Sequence, residues 1–364
     1  MTELVLTTNP GVEDVVITEL REVAQAAGVS VGAAEAGYRK RRGVVRVELG
    51  ATPRECAALA RSMRSIHHIL RPLLQFTLDP EDPLGDMRRR LAVLPIAELD
   101  DAATFRVTGV RKGRHDFTSI DVQKAAGAGI VDGTRKGVSM KDFDVEIRVE
   151  VEDQRCDVGV QLTRKAISRR RWRPYRAKTA LKANVAYAML RLALDGQPSP
   201  RRLLDPFCGS GTLLIEAAER FPDTALVGVE LYDKPFKGAQ ENLTALELTE
   251  QVTVHQADGR QLRVLFPEGR ATVDAIISNP PFGVRLGQKL DFDVFYDGLL
   301  SDAAFLLRAG GRLAALVWHR GAFNRAMRRR GKQMASVHVR IIETGNIYPG
   351  LFILERLPRA SDEA

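Results

Sequence analysis

The chain has 364 residues, of which 45% are hydrophobic and 27% are charged, and its formal net charge is +8. This length predicts two or three domains with ordinary buried cores, and the positive charge favours a polyanionic partner. No apolar run approaches a membrane span, and Glu3 stands where a signal peptide would be basic, so we expect a cytoplasmic protein. Three scattered cysteines and six histidines form no metal-ligand pattern, so we expect no metal.

The first 78 residues alternate between short strands and helices. The predicted elements are strands over 4–6 and 43–49, helices over 12–27 and from Pro53, and an apolar stretch over 66–78. None of them carries residues with an evident chemical role. Prolines and acidic residues over 79–83 then mark a boundary.

A second α+β pattern covers residues 84–165. It predicts a helix around 87–94, a strand over 104–108, a helix over 119–131, and strands over 143–149 and 156–160. The loop between the first strand and the second helix is basic, and Ser119 is predicted to cap that helix. Its candidate RNA contacts are Arg111, Lys112, Arg114, His115 and Phe117. From composition alone, a solvated basic loop explains this segment as well as contact with an RNA backbone does.

The segment 167–178 is the most basic part of the chain. Its candidate RNA-binding cations are Arg169, Arg170, Arg171, Arg173 and Arg176. The alternative to RNA binding is that this segment is a solvent-exposed linker between domains. A helix is predicted next, over 179–194. A second basic cluster is expected on a helix face beside the catalytic cleft, although helical surfaces are often charged. It comprises Arg325, Arg328, Arg329, Arg330 and Lys332, of which Arg328 and Arg329 are candidate RNA contacts.

Residues 203–212, with the sequence LLDPFCGSGT, predict a buried strand that enters a glycine-rich turn before a helix. Gly209 and Gly211 permit positive φ angles and close approach of a ligand, and the N–H groups of the following helix suit an anionic group. A phosphate loop would require Gly-Lys-Ser/Thr, whereas Thr212 follows Gly211 here, so ATP is disfavoured. Glu230, at the end of a strand over 225–229, can accept bonds from ribose hydroxyls. A strand, two glycines and a later acidic residue also occur in the fingerprint that binds NAD, but the third glycine of that fingerprint is missing here.

A second loop follows the predicted strand over 274–278 and has the sequence Asn279-Pro280-Pro281-Phe282-Gly283. The two prolines fix two φ angles and remove two donors, which leaves a rigid bend. This bend presents the Asn279 side-chain oxygen and a main-chain carbonyl as acceptors beside an aromatic face. The arrangement suits the amino group of a nucleobase, with Phe282 stacked on the base.

DPFCGSGT followed by SNPPFG resembles the class I, Rossmann-like methyltransferases that use S-adenosylmethionine (SAM) to modify exocyclic amino groups. The resemblance implies that the glycine loop holds the methionine end of SAM, Glu230 reads the ribose and Asp258 accepts from the adenine amine. The implied catalytic residues are Asn279, Pro280, Pro281 and Phe282. The implied cofactor-binding residues are Asp205, Pro206, Phe207, Cys208, Gly209, Ser210, Gly211, Thr212, Glu230, Leu231, Asp258, Gly259 and Asn279. The family more often shows a second acid sooner after the ribose acid, so Asp233 is a further ribose candidate.

The remaining elements fit an α/β fold with a doubly wound, mostly parallel sheet. They are a helix over 292–307 and strands over 312–317, 336–343 and 351–355. The polar residues of the implied site fall at the carboxyl ends of predicted strands, where such folds bind ligands. Cys208 is disfavoured as a nucleophile for pyrimidine C5 methylation, because it lies in the cofactor turn and the substrate loop has no cysteine.

The stretches FRVTGVRKGRHDFTSIDVQKAAG and KDFDVEIRVEVEDQRCDVGVQLTRKAISRR resemble THUMP domains, which dock structured RNA and often the 3′ end of tRNA. The module before them resembles the ferredoxin-like domain that accompanies THUMP. The resemblance implies a ferredoxin-like domain over 1–78, a THUMP domain over 79–166, a basic linker over 167–178 and a Rossmann-like methyltransferase domain over 179–364.

The combined architecture resembles RNA guanine-N2 methyltransferases. The compact length and the ending GNIYPGLFIL look more like the tRNA enzymes that act in the acceptor stem than the longer rRNA enzymes. We therefore expect a monomeric enzyme that transfers a methyl group from SAM to the N2 amine of a guanosine in tRNA. The alternatives are a 23S rRNA guanine-N2 methyltransferase, an N6-adenine nucleic-acid methyltransferase, and an RNA-binding assembly factor that retains the fold as a relic.

Overall fold

The chain forms two compact units in the computed structural model, which describes residues 1–169, 173–177, 180–266, 269–283, 290–345 and 347–359. The first unit comprises Met1–Thr7 and Ile17–Ile167, and the second comprises Thr8–Val16 and Ser168–Ala364. Within the described ranges, none of the helices has both the length and the apolar character that crossing a membrane requires.

The first unit is built around one mixed sheet. Up to residue 161 the elements are β1 Thr2–Thr7, α1 Glu13–Ala26, β2 Val31–Ala36, β3 Val44–Leu49, α2 Pro53–Ser62, β4 His68–Thr77, α3 Pro83–Ala92, β5 Thr104–Lys112, α4 Ser119–Thr134, β6 Gly137–Val138, β7 Val145–Glu152 and β8 Arg155–Gln161. The strand order is β2-β3-β1-β4-β8-β7-β5-β6. Because β4 pairs antiparallel with β8, strands from both predicted N-terminal modules share this sheet.

Most predicted elements of this unit are present, with differences at four places. The strands β2 and β6 were not predicted from the sequence, and the basic loop is shorter than expected because β5 continues to Lys112. The prediction that Ser119 caps α4 is wrong by one residue. Thr118 is the N-cap: its hydroxyl accepts from the Asp121 amide, and the Asp121 carboxylate accepts from the Thr118 amide. This reciprocal pair satisfies two donors at the helix start.

Helices α3 and α4 pack closely at positions where α4 has glycine. A β-carbon at Gly129 would overlap the carbonyl oxygen of Arg88 on α3, and one at Gly133 would overlap that of Ala92. Gly127, two residues before Gly129 on α4, has room for a methyl group, since its nearest neighbour would be a Val107 methyl at 3.9 Å. The close approach of the two helices therefore depends on the absence of a side chain at Gly129 and Gly133.

Gly129→Ala should lower the free energy of unfolding of the first unit by about 1–3 kcal/mol, because the added methyl group has to displace α3 backbone. Gly127→Ala is the matched control and should raise it by about 0.5–1 kcal/mol, since alanine is the better helix former. Urea unfolding of both variants, followed by circular dichroism, tests the difference. Equal effects at the two positions would contradict the close helix contact.

The second unit carries the predicted Rossmann-like fold. Its elements are α5 Ala183–Leu194, β9 Arg202–Asp205, α6 Thr212–Arg220, β10 Ala225–Glu230, α7 Asp233–Ala245, β11 Val252–Gln256, α8 Leu262–Leu265, β12 Val273–Ser278, α9 Phe292–Leu306, β13 Leu307–Val317, α10 Arg320–Arg329, β14 Met334–Ile341 and β15 Gly350–Arg356. The strand order is β11-β10-β9-β12-β13-β15-β14. The pairs from β11 to β13 are parallel, and β15 and β14 are antiparallel. The predicted helix over 179–194 begins at Ala183, later than expected.

Hydrophobic cores cover both faces of this sheet. Successive strand residues alternate between them: Leu203 packs with residues of α5 and α6, whereas Leu204 packs with residues of α9 and α10. The strands are therefore buried on both sides, as their continuous apolar sequences require. Polar side chains are accommodated where the strands end, and the carboxyl ends of β9, β10 and β12 meet at one edge.

A short N-terminal segment, Thr8–Val16, belongs to this second unit. Val12 and Val15 are buried in the core that contains α5 and α6. The Asn184 amide donates to Asn9 Oδ1 at 3.0 Å, and Asp14 forms an ion pair with Arg340 at 2.7 Å. These contacts join residues more than 150 positions apart in the sequence, so no local pattern predicts them.

Candidate active site

The glycine-rich turn between β9 and α6 has the predicted backbone geometry. Gly209 has a φ of 55° and Gly211 has a φ of 78°, both in the left-handed region that favours glycine. A β-carbon at Gly209 would meet no atom within 4 Å, so open space lies beside the turn. The Cys208 amide donates to the Val229 carbonyl at 3.0 Å, which holds the turn against β10.

Carboxylates line the same edge of the sheet. Glu230 accepts from the Gly209 amide at 3.0 Å and from the Tyr232 amide at 2.8 Å, so it fixes the turn and the start of the next loop. Each carboxylate oxygen has capacity for a second hydrogen bond, which leaves acceptors for ligand hydroxyls. Asp258 is held by the Arg260 guanidinium, which lowers the pKa of the Asp258 carboxyl. Asp258 therefore remains ionised at neutral pH.

The cofactor turn and the substrate loop are joined by a buried hydrogen bond. Ser278 Oγ donates to Asp205 Oδ1 at 2.6 Å, and the Phe207 amide donates to the same oxygen at 3.1 Å. Asp205 is 2% exposed, and burial raises the pKa of its carboxyl to about 7, with a smaller contribution from the nearby Glu230 charge. The two loops that the proposed reaction requires are therefore fixed to each other at their bases.

Asn279 and Phe282 lie where the substrate loop leaves β12. Asn279 Oδ1 is shielded from solvent and has no hydrogen-bond partner within the described ranges. Leaving a buried acceptor unpaired costs about 1–3 kcal/mol, which is consistent with a donor arriving from a ligand. The Phe282 ring is partly exposed and faces Trp318, and its carbonyl accepts a hydrogen bond from His319 Nε2 at 3.0 Å.

Comparisons with known proteins agree with this geometry. An RMKL-like methyltransferase domain model (UPF0020) matches residues 170–347, and a THUMP domain model matches residues 91–161. The tRNA (guanine(6)-N2)-methyltransferase of Thermus thermophilus is 36% identical over 356 residues, which cover 96% of this chain and 98% of that protein. The chain belongs to the THUMP-domain RNA guanine-N2 methyltransferase family.

Solved structures resemble this methyltransferase over its full length. The crystal structure of TrmN from Thermus thermophilus superposes with a TM-score of 0.75 at 34% identity, covering 98% of this chain and 99% of that one. A second solved structure, of a protein complexed with SAH, has a TM-score of 0.72 at 18% identity and covers 99% of both chains. At this identity the second likeness shows the fold alone.

The residues predicted to bind SAM come together in the methyltransferase unit. Gly259, three residues beyond the end of β11, packs so closely on the turn that a β-carbon there would overlap the Pro206 carbonyl oxygen. Glu230 and Asp258 follow neighbouring parallel strands, and Leu231 is exposed beside Glu230. Cys208 is buried, and burial raises the pKa of its thiol, so the structure offers no thiolate nucleophile there. Elsewhere in the described chain, no three acidic, His or Cys groups gather as metal ligands would.

These residues fit SAM by their chemistry. The ligand carries a sulfonium and an ammonium, for which the neighbouring carboxylates supply negative charge, and hydroxyls, for which Glu230 supplies acceptors. The open space at Gly209 and the amides at the start of α6 suit the methionine carboxylate. Asp233, the further ribose candidate, lies instead at the first position of α7 in an ion pair with Lys237 at 3.0 Å.

Some residues of the predicted basic linker contact the methyltransferase unit, and others are exposed to solvent. Arg173 Nη1 donates to Thr212 Oγ1 at 2.6 Å, so this predicted RNA contact lies against the start of α6. Arg169 and Arg176 are exposed. Arg170 and Arg171 lie outside the described residues. The buried Asn242 side chain pairs with the Tyr175 backbone through both its amide atoms, at 3.0 and 3.1 Å, and donates to the Ser210 carbonyl at 3.0 Å.

The other predicted RNA contacts lie on two surfaces. Lys112, the last residue of β5, and Arg114 are exposed, and His115 donates to the Lys112 carbonyl at 2.8 Å and packs on Phe117. Arg111, the residue before Lys112 in β5, donates to the Gly113 carbonyl at 3.3 Å. On α10, Arg328 is exposed, whereas Arg325, Arg329 and Arg330 form ion pairs with Asp293 and Asp297 of α9. Most of the charge on this helix is therefore compensated.

Four residues of the site were not identified from the sequence: Asn242, Ser278, Trp318 and His319. Ser278 directly precedes the Asn279 loop, so its position at the end of a strand could be inferred from the sequence. Trp318 and His319 directly follow β13, the parallel neighbour of β12. An aromatic pair after the strand next to the substrate loop is a usable sequence signal, but it requires the strand order to be known.

Asp205→Asn should reduce the pH dependence of stability. The pKa of Asp205 is raised in the folded protein from its usual value of about 3.9, so the folded state binds this proton more tightly. Its stabilising contribution is present at acid pH and is lost as pH rises towards 7, at about 1.4 kcal/mol per pH unit. Between pH 5 and pH 8 the free energy of unfolding of the wild-type protein, measured in urea, should therefore fall by about 2.7 kcal/mol more than that of Asp205→Asn. Asp223 is exposed, so Asp223→Asn is the control and should show the same pH dependence of unfolding free energy as the wild type. If Asp205→Asn also shows the wild-type pH dependence, the raised pKa of Asp205 is contradicted.

Proposed function

We propose that this protein transfers a methyl group from SAM to the exocyclic N2 amine of guanosine 6 in tRNA. The observation that carries the proposal is the buried Asn279 Oδ1 at the carboxyl end of β12, beside the turn after β9, for which the described part of the chain supplies no hydrogen-bond partner. The family membership supplies the reaction class, and the relatives' names supply the nucleotide position. Position 6 lies in the acceptor stem, as the resemblance implies.

SAM, when bound, supplies a methyl group already activated by a positive sulfonium. In this proposal the turn Asp205–Thr212 holds its methionine end, Glu230 its ribose and Asp258 its adenine amine. Leu231 and Gly259 would line the adenine side. The chain then needs no strong general base, and its contribution is positioning, which can account for a large part of a rate enhancement.

Asn279 Oδ1 and the Pro280 carbonyl would accept the two hydrogens of the guanine amine. Both bonds orient the nitrogen and draw its lone pair away from the ring. Pro280 and Pro281 keep the acceptors in place, because their φ angles cannot adjust. Phe282 would stack on the base. The proton that the amine loses passes to solvent, since its acidity rises as the new bond forms.

The first unit would deliver the RNA. We propose that residues 1–78 and 79–166 act as a ferredoxin-like and a THUMP domain, and that the basic linker 167–178 joins them to the catalytic domain 179–364. A guanosine in a base-paired stem cannot reach the amine acceptors, so it has to be flipped out at a cost of a few kcal/mol. Phosphate contacts by the basic residues would offset this cost. We expect the protein to act as a monomer in the cytoplasm, where tRNA is available.

The direct test uses the purified protein, SAM and an unmodified tRNA transcript, followed by nucleoside mass spectrometry. N2-methylguanosine is expected, and replacing the G6 pair by an A–U pair should abolish it. N6-methyladenosine, or methylation of 23S rRNA fragments in preference to tRNA, would replace the proposal by one of the alternative enzymes. Failure of calorimetry to detect SAM binding would indicate an RNA-binding protein without this activity.

Asn279→Ala should lower kcat by about 100-fold or more, since one positioned hydrogen-bond partner of the reacting group is lost. The free energy of unfolding should be unchanged or slightly increased, because the substitution removes a buried acceptor that has no partner among the described residues. Asn324→Ala, at an exposed asparagine of α10, is the matched control for loss of a side-chain amide. A variant that methylates tRNA at the wild-type rate would show that Asn279 has another role.

The basic loop should make a measurable electrostatic contribution to tRNA binding. Replacing Arg111, Lys112 and Arg114 by glutamine should weaken affinity and reduce the slope of log affinity against log salt by up to about 3, one for each lost phosphate contact. Filter binding over a salt series measures both quantities.

The matched control for this triple variant removes the same charge from α3. Arg88, Arg89 and Arg90 each form an ion pair with an aspartate, so their replacement by glutamine should change the slope less. If the two triple variants bind tRNA equally well, the loop has no specific role in RNA recognition.

A further inference from the structure

We propose that Trp318 forms the second wall of the pocket that receives the target guanine, opposite Phe282. The inference rests on the proposed function and adds a base-stacking residue to it. Trp318 would hold the flipped base by its aromatic face, while Asn279 would orient the amine that reacts.

The sheet topology brings these residues to one place. β12 and β13 are parallel neighbours, with Ser278 aligned to Ala315. Phe282 follows the end of β12 by four residues, and Trp318 follows the end of β13 by one. Both rings therefore lie beyond the same carboxyl edge of the sheet as Asn279, which is the edge where doubly wound folds bind ligands.

The two rings are near enough to contact the same nucleobase. Their centroids are 6.5 Å apart, and their planes differ by 30°. Two stacked contacts of about 3.5 Å each require about 7 Å between parallel planes, so the rings have to move slightly apart and become parallel when a base enters between them. Both side chains are partly exposed, whereas the neighbouring Tyr296 and Phe323 are fully buried. Phe282 also packs against the core that contains α5 and α6, so one side of its ring is supported by the protein and the rest is open to a ligand.

The Phe282 wall is held in place by a separate set of contacts. His319 Nε2 donates to the Phe282 carbonyl at 3.0 Å, and the imidazole stacks on Phe292 of α9 at a centroid distance of 3.9 Å. Gly283 has a φ of 77°, and a β-carbon there would lie 2.7 Å from the Phe292 ring. Trp318 is the residue before His319, so the two walls are joined through one short segment.

This arrangement predicts a division between binding and turnover. Affinity for the whole tRNA comes mainly from phosphate contacts, which do not involve Trp318. Stacking acts after binding, on the fraction of complexes in which the base has entered the pocket. Loss of the Trp318 ring should therefore reduce kcat and leave the KM for tRNA nearly unchanged.

The first experiment measures methylation of tRNA by Trp318→Ala and Trp318→Phe. Loss of one base-stacking contact corresponds to roughly a 10- to 100-fold decrease in kcat, and the phenylalanine variant should recover most of it. SAM affinity and the unfolding midpoint should stay at wild-type values. Tyr348→Ala, which removes an exposed aromatic ring of the same unit, is the matched control and should keep wild-type kcat.

The second experiment uses fluorescence, because the chain has two tryptophans, Trp172 and Trp318. In a Trp172→Phe background Trp318 is the sole reporter. Binding of tRNA with guanosine or with inosine at the target position should quench it, since both bases can stack. Inosine lacks the N2 amine, so that complex should be quenched without being methylated. An abasic site at the same position should give no quenching.

The two proposals can fail separately. If the wild-type protein forms N2-methylguanosine but quenching is the same with the abasic tRNA, or Trp318→Ala keeps wild-type kcat, the role of Trp318 is refuted and the methyltransferase assignment stands. If no methylated guanosine forms with the wild-type protein, the proposed function itself is refuted. A decrease in SAM affinity or in the unfolding midpoint of Trp318→Ala that matches the loss of activity would assign the residue a structural role instead.

Discussion

The hydrogen bond between Ser278 Oγ and Asp205 Oδ1 is the contact on which the geometry of the site depends. It joins the last residue of β12 to the last residue of β9, and each of these strands leads directly into one of the two functional loops. Both groups are almost inaccessible to solvent, so water does not compete for the bond. Burial also favours the protonated form of Asp205, as the raised pKa of its carboxyl indicates. The site therefore keeps a carboxyl group whose burial is costly at a position where it connects the bases of the two loops.

A second buried side chain connects the cofactor turn to the linker. Asn242 on α7 is fully buried, and its amide pairs with the Tyr175 backbone and with the Ser210 carbonyl. The Tyr175 ring packs so closely on Gly238 that any side chain there would overlap it. Together with the hydrogen bond from Arg173 to Thr212, these contacts fix the linker residues Arg173 and Tyr175 to the turn. This part of the linker therefore contributes to the structure of the cofactor site, whatever its exposed arginines do.

The local parts of this site could be predicted from the sequence, and the non-local parts could not. Gly209 and Gly211 adopt the positive φ angles that the motif requires, because a tight strand-to-helix turn is specified by its own residues. The cap of α4 was assigned one residue too late, because Thr118 and Ser119 are adjacent and serine and threonine are both good N-caps. In contrast, the position of Trp318 follows from the pairing of β12 with β13, and that of Val12 from packing against α5. Such contacts depend on strand order and tertiary packing, which a single sequence does not encode in any short pattern.

The acceptors of the substrate loop do not by themselves distinguish guanine from adenine. Asn279 Oδ1 and a backbone carbonyl can accept from any planar amine, and stacking between aromatic rings is tolerant of base identity because every base has a π-face. Selection of one nucleotide must therefore come largely from which base the RNA-binding residues place within reach of the pocket. In this view the first unit supplies specificity by geometry, and the second supplies a site for amines. The same catalytic loops can then serve different RNA substrates when they are joined to different RNA-binding modules.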